Sequence, residues 1–192
     1  MQNATLAATA PAMTVEEYIA FEERAEVRHE YINGNLIPMP GTTFEHNEIC
    51  FNLAALLKKA LRHLGYRIFQ ENVKVQIASK TDYTYPDVTV ANDPRDWEGH
   101  YIVKYPLVLF EVLSKSSRLE DSSDKFVRYK NIESLQNYIL VDSEKKVVEV
   151  RTKLPDGTWE AEWFVEADER FPVPALGLEL AFEEVYEGVN LG

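Results

Sequence analysis

Between Phe44 and Leu64 apolar residues return at Ile49, Leu53, Leu56, Leu57, Leu61 and Leu64, the spacing of an α-helix with one buried face. Gly65 follows, the residue best suited to close such a helix in a left-handed conformation. A shorter helix is predicted from Val15, because Thr14 and Glu17 form a capping box ahead of Val15, Tyr18 and Ile19 on one side. Between the two, Asn33-Gly34 separates alternating runs and predicts a two-residue hairpin that ends at Pro38, Pro40 and Gly41.

Beyond Gly65 the period changes from helical to extended. Tyr66 to Ala78 alternates and reads as strand, and Tyr85 to Ala91 reads as a strand that begins at a proline. Leu107 to Leu113 is apolar on both sides, as in the middle of an α/β sheet. Asp121 or Ser122 can cap a helix running from Asp124 to Ile132, and Tyr138 to Asp142 is a further buried strand. Val147 to Arg151 and Thr158 to Val165 flank Pro155-Asp156-Gly157 as a hairpin at the sheet edge; the remainder, with Pro172, Pro174 and Gly177, is loop and short strand. This order predicts an α/β (α+β) fold: a central mixed β-sheet flanked by helices, with an N-terminal helix and hairpin. No linker divides it, so residues 13–192 are expected to form one domain behind a disordered leader, residues 1–12.

The composition adds limits. Hydrophobic residues at 45% and charged residues at 27% of 192 are ordinary for a water-soluble fold, and no apolar run has the length of a membrane span. The N-terminal residues lack a secretory pattern, which points to a cytoplasmic protein. Cys50 is the single cysteine, which excludes an internal disulfide and a thiolate cluster for zinc, and reads as a small core residue. A net charge of −12 argues at first against a nucleic-acid partner, but ten acids between Asp156 and the C-terminus stand against Arg170 alone and supply most of the excess. Asn52 to Lys74 is locally basic, through Lys58, Lys59, Arg62, Arg67 and Lys74.

One residue breaks the pattern. Glu111 lies inside the apolar run Leu107 to Leu113, where a lone charged carboxylate would be costly by several kcal/mol at least unless paired, protonated or bound to metal. Asp87 stands at the start of the preceding strand, so neighbouring strands would bring the two carboxylates together. Mg²⁺ between them would relieve their repulsion, and Lys125 on the next helix would complete a phosphodiester site. Three competing roles stay open for these residues: Asp87 as a turn cap, Lys125 and Glu111 as an ion pair that only orders the fold, and the two acids as a glycosidase pair.

The segments Thr14 to Tyr18, Glu30 to Gly34, His46, Tyr85-Pro86-Asp87-Val88, Glu111-Val112-Leu113-Ser114, Asp124-Lys125 to Tyr129 and Asn137 to Asp142 together resemble the Uma family of endonucleases, within the PD-(D/E)XK (restriction endonuclease-like) superfamily. The resemblance implies a restriction endonuclease-like core and a Mg²⁺-dependent DNA endonuclease, with Mn²⁺ as a substitute ion. Asp87 and Glu111 would be the metal ligands, and a lysine would orient the attacking water or offset transition-state charge. The chain departs from the pattern where a lysine is expected two residues after the glutamate: Leu113 stands there. Lys125 is the candidate migrated lysine, Lys115 a weaker one, and Glu30 and His46 are further candidates for the catalytic set. The departure keeps open a second function, a nuclease fold serving as a binding or regulatory module. A nuclease that cuts both strands would gain from two-fold symmetry, so a homodimer is the expected oligomer.

Overall fold

The computed structural model describes residues 13–77, 81–98, 101–114 and 121–191, with residues 121–123 described in backbone only. The expected leader, Lys115 and the side chains offered as helix caps, Asp121 and Ser122, lie outside these limits.

The predicted N-terminal elements form as the local chemistry requires. Helix α1 (Val15–Glu22) carries both hydrogen bonds of the Thr14–Glu17 capping box. Strands β1 (His29–Ile32) and β2 (Asn35–Pro38) pair through a turn in which Asn33 and Gly34 take φ of 51° and 83°, the left-handed pair a tight hairpin needs. The main helix α2 (Phe44–Leu61) buries Ile49, Cys50, Leu53, Leu57 and Leu61, then tightens into a 3₁₀ turn over Arg62–Leu64 before Gly65 at φ 80°. That tighter winding rotates Leu64 out of the helical phase, and it is 65% exposed instead of buried.

The stretch Tyr66 to Ala78 differs from its prediction. It is two strands in two sheets, β3 (Arg67–Gln70) and β4 (Lys74–Gln76), divided at Glu71, whose φ of 51° turns the chain. The strand expected over Tyr85 to Ala91 begins later, as β6 (Val88–Ala91), because Pro86 interrupts pairing, and a separate short strand in the other sheet, β5 (Tyr83–Thr84), precedes it. After β7 (Ile102–Val103) come β8 (Pro106–Leu113), helix α3 (Asp121–Tyr129), β9 (Asn137–Asp142) and the hairpin β10 (Val147–Lys153) with β11 (Trp159–Val165). The C-terminal part holds β12 (Arg170–Val173), β13 (Leu178–Ala181) and a short helix, α4 (Phe182–Val185).

Six strands make the central mixed sheet in the order β11-β10-β9-β8-β6-β3, with β8 and β9 parallel and the other neighbours antiparallel. The parallel pair needs a crossover, and α3 lies in that connection. Alternation along β8 sorts the sheet's two faces. Val108, Phe110 and Val112 join Leu53 and Leu57 of α2, while Leu109 joins Tyr129 of α3 with Tyr138 and Leu140 of β9. A second sheet, β2-β1-β5-β4-β7, packs Tyr31 and Tyr83 against Tyr18 of α1. Among the described residues no helix is long and apolar enough to cross a membrane.

Leu53 is fully buried at the contact of α2 with the sheet. Leu53→Ala is expected to lower unfolding free energy by about 2–5 kcal/mol, whereas Leu64→Ala should stay within about 0.5 kcal/mol of wild type in urea denaturation.

Candidate active site

Strands β6 and β8 pair antiparallel with Val88 opposite Phe110. One further step along this register sets Asp87 across from Glu111. Pro86 and the start of the strand hold Asp87 in place: its Oδ2 accepts from the Val112 N–H at 2.6 Å, and its carbonyl accepts from the Glu71 N–H at 3.0 Å. Asp87 therefore does not merely cap its own turn; its carboxylate reaches across to β8.

Glu111 shares its face of β8 with Leu109, toward α3, and is only 4% exposed. Helix α3 supplies its partners from successive turns. Tyr129 donates to Oε1 at 2.9 Å, and Lys125 donates to Oε2 at 3.1 Å. The four-residue spacing of Lys125 and Tyr129 puts both on one side of the helix, above the same carboxylate. The Tyr129 hydroxyl also meets Thr84 Oγ1 at 3.1 Å, and Lys125 Nζ stands 3.9 Å from Glu30 Oε1 on β1. Leu113, at the position where a lysine was expected, packs into the apolar cluster around Leu109 and Leu140. The cation at this site comes from the helix.

His46 approaches from the first turn of α2. Its Nε2 is 3.3 Å from Asp87 Oδ2, and its Nδ1 is 3.5 Å from Cys50 Sγ. These groups border an open cleft of about 540 Å³ whose lining includes all five expected residues, Glu30, His46, Asp87, Glu111 and Lys125, together with Arg28 and Glu71. Charge in the cleft shapes protonation. Burial pushes the Glu111 carboxyl up, to about 8; Lys125 opposes this, and the negative charges of Asp87 and Glu30 add to it. For His46 burial works downward, but the hydrogen bond and charge of Asp87 prevail and the imidazole is raised above its usual range.

Two contributors were not anticipated. Tyr129 orients Glu111, and its place four residues after Lys125 was the signal available in the sequence. Glu71 borders the cleft beside Asp87 because of the left-handed turn that splits β3 from β4, and an alternating run gave no hint of that turn. The basic side chains of Asn52 to Lys74 do not line the cleft: Lys58 and Lys59 are exposed on the last turn of α2, Arg67 stacks on Trp97, and Lys74 is buried over Tyr85.

The fold and sequence have recognisable relatives. A crystal structure of "a putative nuclease belonging to DUF820" from Anabaena variabilis superposes with a TM-score of 0.74 at 22% identity, covering 91% of this chain and 97% of that one, which shows a shared fold. An uncharacterized Synechocystis protein, slr1290, is 34% identical over 179 residues, 93% of this chain and 94% of its own. A second, sll1609, is 36% identical over 154 residues, 79% of this chain and 87% of its own. The family model Uma2, described as "Putative restriction endonuclease", matches residues 15–183. With that match spanning both central carboxylates and every element around the cleft, the chain belongs to the Uma2 family.

Proposed function

We propose that the chain is a divalent-cation-dependent endonuclease that hydrolyses DNA phosphodiester bonds, with Mg²⁺ as the working ion and Mn²⁺ able to replace it. The observation that carries this reading is the meeting of Asp87, Glu111 and Lys125 at the floor of one cleft. Family membership and the fold shared with a nuclease-named structure support the reaction class.

The residues suit a hard cation. Asp87 and Glu111 offer oxygen donors, and an acid as buried as Glu111 beside a second acid gains most from a positive ion between them. When bound, such an ion would lower the pKa of a coordinated water and offset charge on the scissile phosphate. Asp87 and Glu111 would hold it. Val112 N–H fixes one Asp87 oxygen and Tyr129 fixes one Glu111 oxygen, so both ligands are oriented before the ion arrives. Lys125, released from Glu111 by the ion, would orient the attacking water or neutralise the phosphate's developing charge. Glu30 keeps Lys125 pointed into the cleft. His46 holds the Asp87 carboxylate from the α2 side.

The cleft lining carries Glu30, Glu71, Asp87 and Glu111 against Arg28 and Lys125. A DNA phosphate entering it would meet net repulsion until a cation is bound, so substrate binding depends on cation binding. The same bases beside the acids argue against a glycosidase. Two copies cutting opposite strands would account for action on a duplex.

A second reading, a binding or regulatory module, draws on the Lys125–Glu111 pair, which satisfies the buried acid without any ion. Calorimetry separates the two: Mg²⁺ binding that Asp87→Ala abolishes counts against the module. For the nuclease reading, Asp87→Ala and Glu111→Ala are expected to abolish cleavage of duplex, single-stranded and branched DNA in Mg²⁺ or Mn²⁺ while circular dichroism stays native. Lys125→Ala should lower kcat by about 10²–10³. Absence of cleavage by the wild type on all three substrates, or wild-type rates in the carboxylate variants, would refute it.

A pH signature follows from Glu111. Its carboxyl is raised in the folded protein from 4.5 to about 8, so the folded chain binds more protons than the unfolded chain across that interval. Stability is therefore fullest below the unfolded value and falls as pH rises toward 8. In EDTA, the melting temperature of the wild type should decline relative to Glu111→Gln between those limits, and saturating Mg²⁺ should remove the difference. Parallel profiles in EDTA would show that Glu111 is not strained in the ion-free state.

A further inference from the structure

Arg28 lines the same cleft as the acids, yet its contacts run to the end of α1. Its Nη1 donates to the Glu22 carbonyl at 3.1 Å and stands 4.0 Å from Glu22 Oε1. Glu22 is the last residue of α1, where carbonyls lack helical partners and a cation is favoured. The Arg28 side chain is 42% exposed, while that of Glu22 is fully buried.

An ion pair that only orders the fold would be the simpler role for Arg28, and the other partners of Glu22 argue against it. The Tyr85 hydroxyl and the His29 N–H donate to Glu22 Oε1 at 2.8 and 2.9 Å, and His29 Nδ1 stands 3.2 Å from Oε2. Lys74, buried over Tyr85, also acts on this carboxylate. At 4.0 Å the Arg28 nitrogen is too far from Oε1 for a hydrogen bond. The buried acid is therefore satisfied without Arg28. The bond to the carbonyl uses one N–H of a group that carries several, and it fixes where the guanidinium sits.

The hairpin sets its direction. The Met39 N–H donates to the Arg28 carbonyl at 2.8 Å, so the pairing of β1 with β2 continues one residue beyond His29 and Pro38. Arg28 and Glu30 lie two apart on this extended segment and so share a face, and both line the cleft. Glu30 meets Lys125, 3.9 Å away, whereas Arg28 stands one strand repeat further along, roughly 6.6 Å.

We infer that Arg28 is a substrate-binding residue whose guanidinium takes a backbone phosphate of the nucleic-acid strand, beside the phosphate that Asp87, Glu111 and Lys125 address. The inference rests on the nuclease reading for the identity of the ligand. A planar guanidinium offers paired donors that match two phosphate oxygens, which a lysine cannot do. Lys125 is engaged with Glu111 until a cation displaces it, so Arg28 gives an incoming strand its hold against the acids of the floor. Its anchor on α1 places the fork before the strand arrives and lowers the ordering cost of binding.

Anisotropy of a labelled DNA strand with the full chain, at fixed Ca²⁺ and stepped NaCl, tests this, with Ca²⁺ as a hard cation for the carboxylates. Arg28→Ala is expected to weaken binding about tenfold and to lower the slope of log K against log salt by about one, because one phosphate contact is lost. Lys58→Ala removes the same charge from an exposed position outside the cleft and should change neither. Arg28→Lys should restore the slope, since the charge returns, but only part of the affinity, since the fork does not. In Mg²⁺ the loss in Arg28→Ala should fall mainly on KM and less on kcat. Wild-type affinity and slope in Arg28→Ala overturn the subsite, as do equal losses in Arg28→Ala and Lys58→Ala. A lower melting temperature in Arg28→Ala with DNA binding intact also overturns it and marks an ion pair that only orders the fold. The nuclease reading fails separately: DNA bound through Arg28 but never cleaved keeps this subsite and removes that reading, and cleavage by Arg28→Ala at the wild-type KM does the reverse.

Discussion

The Glu111 carboxylate, set in the sheet face that α3 covers, is the constraint around which the cleft is arranged. Leu109 on its own strand, Leu140 on the neighbouring strand and Tyr129 on α3 surround it, and they offer a charge no more than one hydroxyl. Lys125 supplies the positive partner, and removing one member of such a buried pair typically costs about 3–5 kcal/mol. Asp87 and Glu30 then add two negative charges that Lys125 alone does not balance. The surplus of acid over base at one buried point is the physical basis for proposing a cation site here in place of an ion pair that only orders the fold.

Placing those groups takes both sheets and two helices. The central sheet sets Asp87 and Glu111 on adjacent strands, α3 lays Lys125 and Tyr129 over them, and α2 brings His46 in at the strand end. The second sheet contributes Glu30 from β1, and its strand β5 leads through Tyr85 and Pro86 into Asp87. Pro86 and the left-handed Glu71 work together here. Each breaks a strand where the chain leaves one sheet for the other, and the bond from the Glu71 N–H to the Asp87 carbonyl ties the two breaks side by side. Loss of regular pairing at this point is what lets a carboxylate turn into the cleft.

Much of this was legible in the sequence because the relevant signals are local. The capping box, the Asn33-Gly34 turn and the helical spacing through Leu61 each specify their element within a few residues. Glu111 announced itself as an acid in an apolar strand, and Asp87 and Lys125 followed from strand adjacency and the helix after it. What was hidden depends on geometry across the sheets. An alternating stretch from Tyr66 cannot reveal that Glu71 turns left-handed and sends the chain into another sheet, because the signal is a pairing change and not a change of period. Leu64 shows the same limit on a smaller scale: a 3₁₀ turn shifts the phase that a straight helix would keep. The contact of Cys50 with His46 was available as a four-residue spacing, but the approach of Asp87 to the far side of the same imidazole was not.

Asp87 and Glu111 are proposed as a cation site guarded by Lys125. Anomalous diffraction from a crystal soaked in Mn²⁺ tests it most directly. The expected result is an anomalous peak bonded to oxygens of both Asp87 and Glu111, with Lys125 Nζ displaced from its 3.1 Å contact with Glu111. No peak between the two carboxylates at saturating Mn²⁺, with the Lys125–Glu111 pair intact, would contradict it.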